Sequence, residues 1–437
     1  MKPKQSFLEK NQALHFPVFR NFLLVRVAII LSLNMQAAIV SYYVYKLTHD
    51  KLALGMLGLW EVIPAVGFSL FSGHFVDLKE KKSMMLTCIV GYLLLCVFFV
   101  ALAWPGIQTV LSVSNIVWLV YAGIFIGGAL RAFLGPSSFS LQGLLTPREH
   151  YPNATTWSSA AWQFGAFMGP LIGGFLILFG FHISLIWVGL IELISLIALL
   201  RIPKQQIMKK EKEPVAKSLG EGLRFVFGSQ LILAVLSLDM FAVLFGGAVA
   251  LLPVYADDIL KVGEVGFGWM RAAPGIGSVV SLFILSFVPL KKNPGIKLML
   301  SIIGFGITTI IFAFSGYFGT GAIVTISGFG ISWGFLVAFL MLLLGGVFDA
   351  VNVVIRHTIL QIYTPDSMRG RVSAVNTMFI SSSNELGAME SGITAKWMGT
   401  VPAVFVGGCL TILVVGVTWF AAPMLRVLKL HEEKKTD

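Results

Sequence analysis

Long apolar runs separated by short polar turns set the pattern of this chain. Twelve runs can be marked, at roughly 18–45, 52–76, 83–104, 114–140, 153–179, 183–202, 230–256, 265–290, 296–314, 331–361, 372–396 and 401–425. A helix that crosses hydrocarbon needs about 20 apolar residues, and each run is close to that length. The runs are continuous, not alternating, which argues against the period-two pattern of a membrane β-barrel. An all-α membrane protein is expected. Its first six spans occupy 1–203, a cytoplasmic linker 204–229, and the second six 230–437.

The linker begins charged, from Lys209 to Glu213, and then turns amphipathic. Leu219, Leu223 and Val226 share a helical face, with Phe227 close to it, while Glu221 and Arg224 lie elsewhere on the turn. This predicts a short helix at the membrane interface; a flexible tether is the alternative.

The two halves repeat. Gly127-Gly128 followed by Thr146-Pro147 recurs, 218 residues on, as Gly345-Gly346 followed by Thr364-Pro365. Gly169 and Gly174 keep the same offset to Gly387 and Gly392. Spans two and eight align at an offset of 210 through Gly58/Gly268, Pro64/Pro274 and Gly67/Gly277. Internal repeats of this kind are typical of carriers whose site lies at the repeat interface.

Composition agrees with a membrane class. Only 12% of residues are charged and 57% are hydrophobic, against about 25% charged in a soluble domain, and the mean hydropathy is +0.86. The net charge of +11 raises nucleic acid as a partner, but the placement of the charges answers it. With the N-terminus inside, all but seven of the 32 Lys and Arg residues fall in cytoplasmic loops and tails. Lys46, Lys51, Lys261 and Lys396 fall outside, and Arg26, Arg131 and Arg271 fall within spans. This follows the positive-inside rule, with both termini cytoplasmic, and makes anionic lipid, not nucleic acid, the basic residues' partner. The polar N-terminus up to Pro17 does not read as a cleaved signal peptide. Cys88, Cys96 and Cys409 lie in apolar runs with no metal-ligand or disulfide spacing. No histidine is mid-span, so neither a metal site nor a cofactor is expected.

Three motifs carry a family resemblance. The loop after span two reads Gly73-His-Phe-Val-Asp77-Leu-Lys79-Glu80-Lys81-Lys82. It resembles the signature between helices two and three of the major facilitator superfamily at Gly73, Asp77, Lys81 and Lys82. Leu78 replaces a usual basic residue and Glu80 a usual glycine. An aspartate here suits a helix N-cap, and in the family it latches near the start of helix eleven, here near Arg371 and Val372. Span five carries Gly165-x-x-x-Gly169-Pro170-x-x-Gly173-Gly174. This matches the core of the family's fifth-helix signature, typical of its antiporting exporters, although Thr156 stands where the longer pattern has a glycine. Glycines four apart allow close helix contact, and Pro170 removes a helix hydrogen bond. Together with Gly246-Gly247 to Pro253, Asp349-Ala-Val-Asn352 to Arg356 and Thr364-Pro365 to Val372, these motifs resemble the bacterial exporter branch that includes enterobactin and macrolide efflux carriers. The resemblance implies the major facilitator fold, with twelve transmembrane helices in two pseudo-symmetric six-helix bundles.

Nine ionisable residues lie within spans: Arg26, Glu61, Arg131, Glu192, Asp239, Arg271, Asp349, Glu385 and Glu390. Each would cost about 2.5–3.5 kcal/mol facing lipid at a helix centre, so they are expected to face the bundle interior, a wet cavity or one another. Arg131 and Asp349 are equivalent in the repeat with opposite charge, as are Glu61 and Arg271. Arg26 and Asp239 sit at matching depths in spans one and seven and form a further candidate pair. Span one places Arg26, Asn34 and Ser41 on one face, and span ten does the same with Asp349, Asn352 and Arg356. Glu385 and Glu390 do not share a face. For each charged residue the alternative to a role in binding or coupling is a structural ion pair. Glu192 is the weakest candidate, since helix six is peripheral in the family.

These readings point to a secondary transporter of the bacterial inner membrane that exports a small amphipathic organic solute, such as a drug, siderophore or metabolite. A monomer working by alternating access and proton antiport is expected, with Asp239 or Asp349 carrying the proton and sodium as the alternative ion. A lysophospholipid flippase and a non-transporting receptor are the competing readings. An intramembrane enzyme is disfavoured, because no His-Glu-x-x-His, Gly-x-Gly-Asp or nucleophile-elbow motif occurs.

Overall fold

The computed structural model describes residues 12–204, 215–287, 293–326, 329–365 and 368–428. Twelve long helices follow one another: α1 Pro17–Thr48, α2 Lys51–Leu78, α3 Lys81–Leu102, α4 Val113–Leu145, α5 Tyr151–Ile177 and α6 Phe181–Leu200; then α7 Gln230–Gly246, α8 Gly263–Phe287, α9 Pro294–Ala313, α10 Trp333–Tyr363, α11 Arg369–Met398 and α12 Thr400–Ala421. Among the described residues, eleven helices are long and apolar enough to cross a bilayer. The remaining long helix is α11. It has the length, at 30 residues, but Asn376, Asn384, Glu385, Glu390 and a run of serines dilute its apolar content. The expected count of twelve spans is therefore eleven clear ones and one polar helix.

The chain divides into two compact units, one of Met1–Thr48 with Trp60–Val215, the other of His49–Leu59 with Ala216–Asp437. The division runs through α2, so its first turns belong with the second unit. Within the first unit α1 packs on α5 and α6, and α3 packs on α4 and α6. Within the second, α7 packs on α11 and α12, and α9 packs on α10 and α12. Each pairing recurs six helices later.

Glycines set these contacts. A Cβ on Gly165 would lie 2.8 Å from the Leu31 nitrogen, and one on Gly169 2.8 Å from the Leu31 oxygen, so α5 meets α1 backbone to backbone. Gly387, the equivalent of Gly169, brings α11 to the Leu244 oxygen of α7, 2.9 Å from a Cβ placed there. A Cβ on Gly128 would overlap the Glu61 carbonyl oxygen and sit 2.9 Å from Pro64; one on Gly346 would overlap the backbone of Pro274. Glycine and proline positions that repeat in the sequence thus repeat as helix contacts.

Two elements depart from the sequence reading. Span seven was expected to run to 256. Instead α7 stops at Gly246, and short 3-10, α and π turns carry the chain to Ile259. The chain leaves helical geometry at Gly247, whose ψ of 58° lies outside the α region, and Pro253 removes one backbone donor from the stretch that follows. The connection after α9, which the spans leave unassigned, holds an antiparallel hairpin, β1 Ala322–Ile326 paired with β2 Phe329–Ser332. The linker forms a helix over Val215–Gly228. Its Val226 is fully buried, and Leu223 packs beside it, against Ile232, Leu236, Leu360, Val372 and Val375. This part of its apolar face meets protein.

Candidate transport site

In the second unit the charged residues of α7 and α10 converge. Asp239 accepts a hydrogen bond from Asn352 Nδ2 at 2.5 Å and an ion pair from the Arg356 guanidinium. The side chains of Arg356 and Asp239 are 3% and 5% exposed. The α10 spacing produces this: Asn352 and Arg356 are four apart, on one face and one turn apart, and both reach the mid-helix aspartate of α7. Asp349 lies on the same face, three residues before Asn352. Together with Asn352, Ala242, Val243, Ser301, Ile302, Phe305 and Phe348 it lines a cavity with room for about one water molecule. Asn352 Oδ1 and Arg356 Nε have no hydrogen-bond partner among the described residues.

One sequence expectation changes here. Arg356, on the α10 stripe, is buried and paired with Asp239. Arg26, the candidate partner of Asp239, instead bonds within the first unit. Arg26 Nε donates to the Ser158 carbonyl and its Nη1 to Ser138 Oγ, both at 3.0 Å. That stitches α1 to α5 and α4. Depth along the helix matched Arg26 with Asp239, whereas the face and neighbour chosen by packing decided the partners.

In the first unit Arg131 of α4 pairs with Glu61 of α2. Their side chains are 53% and 29% exposed, unlike the dry Asp239 cluster. A ring cluster of Trp60, Trp118, Tyr121 and Phe125 begins at the residue before Glu61. Asn34 turns back on its own helix, donating to the Ile30 carbonyl at 2.8 Å, and its Cβ side is where α5 presses at Gly169. Ser41 likewise bonds the Ala38 carbonyl at 2.9 Å.

Arg271, the repeat equivalent of Glu61, donates to the Val249 carbonyl at 3.4 Å, and Ser391 Oγ donates to the Gly247 carbonyl at 3.2 Å. Both carbonyls belong to the stretch where α7 loses its regular bonding. A broken helix at membrane depth needs such partners, and the sequence pairing of charges did not reveal this role. Glu385 and Glu390 are partly exposed on α11, and the Glu385 backbone oxygen lies 2.6 Å from a Cβ placed on Gly58. Glu192 of α6 is fully buried, and neither carboxylate oxygen has a hydrogen-bond partner among the described residues.

The loop motif is built differently from its expected form. Gly73 and Asp77 fall in the last turns of α2, and their side chains lie outside the described residues. The N-cap of α3 is Glu80, which accepts from Ser83 N at 2.9 Å and Lys82 N at 3.3 Å. The residue that replaces the signature glycine therefore does the capping. Lys81 Nζ donates to the Val76 carbonyl, and Lys82 Nζ to the Leu200 carbonyl at 3.1 Å, at the C-terminal end of α6. Arg371 is held by Glu221 of the linker helix at 3.0 Å. In α5, Pro170 lies inside a continuous helix, and Pro170, Gly173 and Gly174 are buried. No group of three or more His, Cys, Asp or Glu side chains suited to a metal occurs among the described residues.

Known proteins resemble this chain in sequence and in fold. The chain is 25% identical over 427 residues to the enterobactin exporter EntS of Escherichia coli O1:K1 / APEC, covering 95% of this chain and 94% of that protein. It is 24% identical over 428 residues to the enterobactin exporter EntS of Shigella boydii serotype 18, with the same coverage. Among solved structures, a POT family transporter in complex with 5-aminolevulinic acid superposes with a TM-score of 0.71 at 12% identity, covering 97% of this chain and 98% of that one. A bacterial homologue of the human lysosomal transporter Spinster, inward-facing and occupied, gives 0.70 at 13% identity, covering 93% and 96%. These two likenesses show the fold. The family description Major Facilitator Superfamily matches residues 22–388. The chain belongs to the major facilitator superfamily of membrane transporters.

Proposed function

We propose that the chain is a proton-coupled antiporter of the bacterial inner membrane that exports a small amphipathic organic solute by alternating access. The observation that carries the coupling is the Asp239–Asn352–Arg356 cluster, with Asp349 on the same helix face beside a water-sized cavity. A carboxylate balanced by one arginine takes up a proton when the arginine moves away, because the uncompensated charge is then costly to keep out of water. Asp239 or Asp349 thus loads a proton from outside as the solute leaves. One inward proton gains about 2.3 kcal/mol per ~100 mV of membrane potential, in addition to any pH gradient. The export direction is supported by 25% identity to the enterobactin exporter EntS across nearly the whole chain.

In this reading 1–203 and 230–437 act as the two halves, 204–229 joins them, and both termini are cytoplasmic. The protein works as a monomer with protons as the coupling ion. The ring cluster beside Glu61 and the half-exposed Arg131 suit a solute with both apolar and anionic groups. Uptake of dyes, macrolides, siderophores and lysolipids into proteoliposomes under an imposed pH gradient tests the assignment. Flux of at least one solute that follows the gradient is expected, and no pH-dependent flux of any of them would overturn it. Preferential flux of lysolipids would make the protein a lipid flippase instead.

A further inference from the structure

The connection between α9 and α10 has a composition unlike that of a water-facing loop. From Leu298 to Phe348 the chain has no Asp, Glu, Lys, Arg or His. The β1–β2 hairpin lies in the middle of that stretch. Its Ile323, where the register shifts, and Val324 are 48% and 52% exposed. A two-stranded ribbon is marginal in water, and strand edges exposed to water are normally guarded by charge or proline. This ribbon has neither.

The surroundings of the hairpin show where it ends up. Gly334 N donates to the Gly319 carbonyl at 2.9 Å, which pins the end of the hairpin to its beginning. Gly319 adopts φ +106, a left-handed turn that a side chain would strain, and a Cβ on Gly334 would lie 2.8 Å from the Ser315 oxygen. Exposed aromatic residues flank this base: Tyr317 and Phe318 before it and Trp333 after it. Phe314, at the end of α9, meets the ring of Phe405 in α12 with centroids 5.4 Å apart. The α9–α10 and α11–α12 connections therefore share one end of the second unit. The last turn of α11 adds Trp397, which is 81% exposed. A ring of exposed Trp, Tyr and Phe at one end of apolar helices marks the depth of lipid headgroups.

We propose that the β1–β2 hairpin is a membrane anchor that lies in the headgroup–acyl boundary, with phospholipid covering Ile323 and Val324. Continuity favours lipid over a protein partner: the hairpin joins two bilayer-crossing helices without an intervening charge, and its base carries the aromatic belt. The anchor fixes the ends of α9 and α10 to the membrane surface, so the helix that carries Asp349, Asn352 and Arg356 is held at one end by lipid.

The test uses the full-length chain with Cys409→Ser, which removes the exposed cysteine and leaves buried Cys88 and Cys96 in place. Ile323→Cys and Val324→Cys are made singly, nitroxide-labelled and placed in phosphatidylcholine nanodiscs. Collision rates with oxygen and with a water-soluble nickel chelate report depth. Oxygen is expected to exceed the chelate at both positions, and the reverse is expected at a label on exposed Lys204. Chelate collisions that match or exceed oxygen at 323 and 324 would overturn the proposal by placing the hairpin in water. Protection from both reagents, with spin–spin broadening, would overturn it in favour of a second copy. Val324→Lys provides an independent check: a neighbouring label at 323 is expected to shift towards the chelate, and an unchanged depth would also overturn the anchor.

Discussion

Asp239 on α7 and Arg356 on α10 form an ion pair almost completely removed from water, with Asn352 completing the aspartate's hydrogen bonding. Removing one partner of such a pair leaves a buried charge without compensation, which costs about 3–5 kcal/mol. Arg356→Met is expected to lower thermal stability in detergent by that order. Asp239→Leu combined with Arg356→Met is expected to recover much of the loss, because the pair's own net contribution is small. A double variant that is as unstable as the sum of the singles would show that the two residues do not act as a pair.

Helix contact at the repeated glycines gives a prediction of one sign at two sites and of the opposite sign at a third. Gly169→Ala would push a methyl group to 2.7–2.8 Å from Asn34 and the Leu31 backbone, and Gly387→Ala would bring one to 2.9 Å from the Leu244 oxygen. Overpacking of this kind costs about 1–3 kcal/mol. Gly416 in α12 has nothing within 4 Å of a Cβ, so Gly416→Ala should stabilise by about 0.5–1 kcal/mol through helix propensity. Melting temperatures of the three variants in one detergent check the contrast.

Glu80 caps α3 in a loop where the family signature carries glycine. Glu80→Ala removes the acceptor for the Ser83 and Lys82 amides and is expected to cost about 0.5–2 kcal/mol. Glu80→Gly restores the signature residue and should cost less, since glycine is itself tolerated at N-caps. Equal losses for the two variants would mean that the cap is not what Glu80 contributes.

The linker helix is tied to α11 by Glu221 and Arg371, whose side chains are 37% and 22% exposed. A pair this exposed is worth about 0–1 kcal/mol and is weakened by salt. Arg371→Gln is therefore expected to change stability by less than about 1 kcal/mol at low salt and by nothing measurable at about 1 M salt. A larger, salt-insensitive loss would assign Arg371 a buried structural role.

Much of the architecture was legible because it rests on composition and spacing. Hydrophobic runs placed the helices, and glycines at matching offsets became matching helix crossings, as at Gly128 on Pro64 and Gly346 on Pro274. The α10 stripe of Asp349, Asn352 and Arg356 was visible from helical periodicity. Its partner was not: depth along the bilayer suggested Arg26 for Asp239, and only packing could show that Arg26 spends its donors on Ser158 and Ser138. The α7 break was written in Gly246-Gly247 and Pro253 but was hidden by the continuous hydropathy around it. The hairpin was missed because an apolar, glycine-rich connection between two spans looks like a loop when only hydropathy and turn residues are counted.

Transport in proteoliposomes under an imposed pH gradient decides whether protons couple through the α7–α10 carboxylates. Asp239→Asn combined with Asp349→Asn keeps the side chains' size and removes both titratable groups. The wild-type chain is expected to move its solute against a concentration gradient when the pH gradient is applied. The double variant is expected to bind solute and exchange it without responding to the gradient. Unchanged pH-driven accumulation in the double variant would rule out coupling through these carboxylates.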